Sequence, residues 1–121
     1  MTKLIIKGEL TDLNTYINAE RSNRFFGAKL KKENTELVEQ EIMIQRLKPI
    51  NKPVFVYIYW YIKNGRKDPD NIAFAKKFIL DGLVKMGLLK DDGMQEIIGF
   101  QDHFNIDKDN PRIEVILSNE C

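Results

Sequence analysis

The stretch Asp68-Pro69-Asp70-Asn71 places two carboxylates two residues apart, and Asp91-Asp92 adds a second acidic pair beginning 21 residues after Asp70. Like charges held close together raise each other's pKa unless a cation stands between them. A hard divalent ion takes one or two carboxylates and keeps several waters, so Asp-x-Asp is a candidate site for Mg²⁺, with Mn²⁺ able to substitute. The competing use is structural. Pro69 fixes φ, and Asp70 or Asn71 can cap a following helix. One cap needs one acceptor, which leaves Asp68 surplus. Asp91-Asp92-Gly93 reads first as a turn. Lys76 and Lys77 follow the first acidic pair. Beside a metal and a phosphodiester, an ammonium holds the scissile phosphate or offsets charge developing in the transition state. On an exposed helix it is simply solvated.

These groups need a frame. Residues 3–7 read as a short strand ended by Gly8, and Thr11-Asp12 caps a short helix to about Ala19. Ser22 to Gly27 looks like a break. From Ala28 to Leu47 the pattern is helical, with Leu30, Leu37, Ile44 and Leu47 recurring. Val54 to Ile62 is β-branched or aromatic at nearly every position and reads as a strand buried on both faces, central in a sheet or at a subunit contact. A helix over residues 70–86 carries Ile72, Ala75, Ile79, Leu83 and Met86 on one stripe, with Gly87 as its stop. Residues 95–105 and 112–117 read as two strands forming a hairpin around a turn at 107–111. The order β-α-α-β-α-β-β predicts one α/β domain over residues 1–121, a small mixed sheet of about four strands packed with two to three helices.

Charge is unevenly spread. Residues 1–67 carry 13 Lys/Arg and 7 Asp/Glu, and residues 68–121 carry 6 and 11. A basic half joined to an acidic half suits holding a polyanion while gathering carboxylates around a cation. Arg21, Arg24, Lys29, Lys31, Lys32, Arg66, Lys67 and Lys76 are candidate phosphate contacts. Cys121 is the single cysteine, so no internal disulfide forms and a reducing, cytoplasmic setting is expected. No signal pattern is visible, and the longest apolar run is too short to span a bilayer, so no membrane partner is expected.

Length constrains the acidic groups further. A helix over 70–86 is roughly 25 Å long, and residues 87–91 recover at most about 17 Å. Asp91 or Asp92 reaches its own Asp70 only if the chain doubles straight back. A second copy supplies the missing carboxylate more easily, which predicts a metal site at or beside a two-fold interface.

The set Arg66-Lys67-Asp68-Pro69-Asp70-Asn71, Lys-Phe-Ile-Leu-Asp-Gly-Leu (77–83), Gly87 and Lys90-Asp91-Asp92 resembles the RusA-type Holliday junction resolvases, strongly over residues 64–93. Leu13-Asn14-x-Tyr16 is weakly similar to that family's N-terminal asparagine-containing stretch. The resemblance implies a RusA-like homodimeric fold. It also implies a Mg²⁺-dependent endodeoxyribonuclease that resolves four-way DNA junctions by paired cuts in recombination and repair. It places Asp68, Asp70 and Asp92 as metal-binding catalytic carboxylates, with Asp91 a close alternative to Asp92. Lys77, or its neighbour Lys76, is the catalytic lysine. No Ser, Cys or His nucleophile is needed, and His103, the single histidine, is read as a structural or surface residue. Small resolvases of this type are often phage-borne.

Two rival readings exist. One is a non-catalytic DNA-binding recombination accessory protein of the same fold. The other is a calcium loop at Asp107-Lys108-Asp109, which fails because the positions needing Gly and Glu hold Arg112 and Ser118. A hairpin turn is the better reading of that segment.

Overall fold

The computed structural model describes residues 1–120, so Cys121 lies outside the described residues. The chain runs β1 (Thr2–Lys7), α1 (Leu13–Ser22), α2 (Arg24–Ile44), β2 (Val54–Ile62), α3 (Pro69–Ala73), α4 (Lys76–Lys85), β3 (Ile97–Ile106) and β4 (Arg112–Ser118). The four strands form one mixed sheet in the order β1-β4-β2-β3. β2 is central, parallel to β3 and antiparallel to β4. The predicted small single-domain α/β fold with a four-stranded mixed sheet is therefore what the chain adopts.

The last two strands do not form a hairpin. β4 inserts between β1 and β2, while β3 lies on the far side of β2. The connection 107–111 passes across the end of β2, where the Asp107 N–H donates to the Ile62 carbonyl at 2.7 Å. It then reaches β1, where the Gly8 N–H donates to the Pro111 carbonyl at 2.9 Å. A five-residue turn spans one intervening strand as readily as it closes a longer hairpin loop, so its length alone does not fix pairing.

One face of the sheet carries the core. Leu4, Ile6, Val56, Ile58, Trp60, Ile113, Val115 and Leu117 are buried with Val38, Ile42, Phe78, Ile79 and Leu83 of the helices. β2 is buried on this face alone. Phe55, Tyr57, Tyr59 and Tyr61 point the other way and are half-buried. They share that face with His103, which stacks on Tyr59 with ring centroids 4.7 Å apart. Aromatic residues on both rows of a strand look like double burial, yet here the outward rings are covered only by one another and by neighbours, Phe55 beside Tyr57, Tyr59 on His103 and Tyr61 under Arg112.

The helices differ from expectation in two places. α1 and α2 are separated by Asn23 alone, whose side chain caps α2 by accepting from the Phe25 N–H at 2.9 Å. The buried side of α2 is Gly27, Asn34, Thr35, Val38 and Ile42, while Leu37 and Ile44 of the expected stripe face solvent. Asn34 is turned inward because its side chain accepts from the Thr11 N–H and donates to the Thr11 hydroxyl, tying α2 to the loop after β1. The expected 70–86 helix is two, broken at Phe74-Ala75. Its end is as predicted. Gly87 has φ +75°, its N–H donates to Val84, and the Leu88 N–H donates to Leu83, closing a Schellman turn over two buried leucines. Among the described residues, no helix is long and apolar enough to cross a membrane.

Candidate active site

The acidic pair sits where β2 hands the chain to α3. Lys63 leaves the strand with its N–H donating to Glu9, and Arg66 donates its N–H to the Asn64 side chain, which shapes the turn. Lys67 then reaches 2.8 Å to Asp12. Asp68 occupies the N-cap position of α3 in an extended conformation (φ −77°, ψ 152°), with Pro69 in the first turn. Pro69 has no N–H to satisfy. The Asn71 N–H is taken by Asp70 Oδ1 at 3.0 Å. Asp68 is left with no cap hydrogen bond from its side chain. Both carboxylates are exposed, and neither takes part in an ion pair among the described residues. A carboxylate offers about four acceptor positions, so Asp70 keeps most of its capacity after one local bond.

The ground beneath them is firm. Ile72 is buried in the core and anchors α3. Asn71 accepts from the Asn14 N–H at 2.9 Å, so the start of α1 abuts the start of α3. Tyr16 packs on Phe74, with ring centroids 5.3 Å apart. Asp12 caps α1 by accepting from the Thr15 N–H at 2.8 Å and binds Lys67 with its other oxygen. Burial works against the Asp12 carboxylate, but the hydrogen bonds from Lys67 and Thr15 outweigh it and hold its pKa below the ordinary value.

Asp91 and Asp92 lie elsewhere on the chain. They line an open groove of about 510 Å³ between α2 and the end of α4, with Lys31, Lys32, Lys77 and Asp81. Asp81 holds Lys77 at 3.3 Å and Lys31 at 4.0 Å. Among the described residues, no three His, Cys, Asp or Glu side chains form a group able to hold a metal ion. One chain thus presents Asp68 and Asp70 at one place and Asp92 with Lys77 at another.

The two neighbouring lysines part company at the start of α4. Lys76 turns to the sheet, 2.7 Å from Asp102 Oδ2, and covers the Phe100 ring at 4.5 Å. Asp102 also accepts from Trp60 Nε1 at 2.8 Å. Lys76 is therefore a strut between α4 and β3, while Lys77 faces the groove. Sequence reasoning missed Asp102, although a charged residue in the core-facing row of a strand signals a partnered carboxylate.

The candidate phosphate contacts are spread over α1, different faces of α2 and the β2–α3 turn. Arg21, Arg24, Lys32 and Arg66 are exposed and free of ion pairs among the described residues. Lys29 pairs with Glu33 at 3.9 Å, Lys31 with Asp81, and Lys67 with Asp12. Asp107, the first residue of the rejected calcium loop, is occupied. It accepts from Arg112 at 2.8 Å and from the Asn110 N–H at 3.1 Å, and the Arg112 bond holds its carboxyl below the usual range. No protein-family model matches this chain, and no curated protein matches it.

Proposed function

We propose that the protein is a divalent-metal-dependent endonuclease for branched DNA, a resolvase of four-way junctions related to the RusA type, working as a homodimer. One observation carries this reading: Asp68 and Asp70 are exposed on a rigidly anchored turn, and Asp68 has no structural employment. A carboxylate without a partner on so well anchored a turn, beside a second that makes one local bond, leaves acceptor positions open to a cation.

Two carboxylates with several waters suit Mg²⁺, whose remaining positions are commonly filled by substrate phosphate. Asp68 and Asp70 would hold the ion. When bound, it supplies charge neutralisation at phosphorus and a water acidic enough to react near neutral pH. Lys77 shares its groove with Asp91 and Asp92, so it would reach that phosphate from a second copy of the chain and offset its charge there. That copy would also bring Asp92 or Asp91 to complete the acidic set. Arg21, Arg24, Lys32 and Arg66 would engage neighbouring phosphates, giving affinity that falls with salt. No motif for reading base edges is present, so shape rather than sequence would govern choice of substrate.

The test is a synthetic four-way junction incubated with the protein in Mg²⁺ and, separately, Mn²⁺. Paired nicks near the crossover are expected, with activity per protomer falling on dilution below the dimer dissociation constant. Tight binding with no cutting in either ion would replace this reading with the non-catalytic accessory protein.

A further inference from the structure

The corner between α1 and α2 carries a feature that the nuclease reading does not use. Phe25 and Phe26 are 67% and 54% exposed, although they sit in the first turn of a 21-residue helix with a core nearby. Adjacent large rings held in water are uncommon on a monomer surface and mark a contact. The corner is stiff. Asn23 caps α2, and a Cβ on Gly27 would stand 2.3 Å from the Glu20 side chain, so the two helices close tightly behind the rings. The setting is also cationic. Residues 21–32 contain five Lys/Arg and no Asp/Glu. Arg24 lies 5.4 Å from the Phe25 ring centroid. Glu20, the nearest acid in sequence, lies in the corner itself, its side chain packed against Gly27.

We infer that Phe25 and Phe26 stack unpaired bases of a nucleic acid whose phosphates are held by Arg21 and Arg24. Planar rings inside a positive field are the combination that binds single strands without sequence preference. A double helix hides its base faces, whereas the arms of a branched molecule open at the crossover. The choice of branched DNA rests on the function proposed above; the stacking itself does not. α1 joins this corner to Asn14, which touches Asn71 beside the acidic pair. Nine residues of helix span roughly 14 Å, about four nucleotides of stacked strand at 3.4 Å each. The stacked base should therefore lie about four nucleotides from the bond that is cut.

The experiment is binding of the full chain, in EDTA so that cutting plays no part, to three probes: a mixed-sequence single strand, a four-way junction and a blunt duplex. Phe25→Leu/Phe26→Leu keeps the surface apolar, and Phe25→Tyr/Phe26→Tyr keeps it planar. The Leu pair should weaken binding to the single strand and the junction by about tenfold or more while leaving the duplex within about twofold, and the Tyr pair should restore it. Unchanged binding by the Leu pair overturns the inference, as does an equal loss on all three probes. So does binding of anionic phosphatidylserine vesicles that tracks the same substitutions without any effect on DNA. Wild-type stacking without junction cleavage in Mg²⁺ would remove the nuclease reading alone. Cleavage with an indifferent Leu pair would remove the stacking alone.

Discussion

Asp12 and Asp68 hold the same position in two helices that touch, and the protein uses them in opposite ways. Asp12, at the N-cap of α1, is 7% exposed, accepts from the Thr15 N–H and binds Lys67. Asp68, at the N-cap of α3, is exposed and caps nothing. Lys67 stands next to Asp68 in sequence yet gives its charge to Asp12. An aspartate ahead of a helix is thus no evidence of capping by itself; the partner atoms decide. Where the donors are taken, as Asp70 takes the Asn71 N–H, a carboxylate is left for something outside the chain.

The largest expected effect tests the idle member of the comparison. Asp68→Asn or Asp70→Asn should lower junction cleavage by about 100-fold or more, close to 3 kcal/mol in the barrier, with the melting temperature nearly unchanged. Parallel loss of activity and of melting temperature would place both residues among the structural aspartates. Next comes the employed member. Asp12→Ala removes a helix cap and the partner of Lys67, and chemical denaturation should show a loss of about 1–3 kcal/mol.

The same contrast has a pH signature. The folded-state pKa of Asp12 is lowered from 3.8. Its contribution is therefore complete above that unfolded value and fades as the pH falls through the folded one. Denaturation midpoints of wild type and Asp12→Asn should converge as the pH drops below about 4. The smallest effect belongs to Lys67→Ala. Its side chain is 39% exposed, so solvent screens the pair and the loss should stay under about 1 kcal/mol.

Much of this was legible in the chain. An unbroken run of β-branched and aromatic residues located β2, Thr11-Asp12 marked the start of α1, and Gly87 marked the end of α4. Other features carry no local signal. The break at Phe74-Ala75 contains neither Gly nor Pro, and both residues fit a helix; it coincides with contacts distant in sequence, Lys76 to Asp102 and Phe74 on Tyr16. α2 buries Asn34 and Thr35 and exposes Leu37, because its orientation is set by hydrogen bonds to Thr11. The placement of β4 depends on which strand it meets, and alternation looks the same beside either neighbour. The acidic pair was visible as a motif. The lack of a partner for Asp68 was not, since Lys67 beside it pairs instead with Asp12, 56 residues before Asp68.

Cleavage of a synthetic four-way junction in Mg²⁺, followed side by side for wild type, Asp68→Asn, Asp70→Asn and Asp12→Asn at matched folded concentration, addresses the central claim most directly. Symmetrical nicks should appear with wild type and Asp12→Asn and be lost with the other two. Equal cutting by all four proteins, or none by wild type, would contradict it.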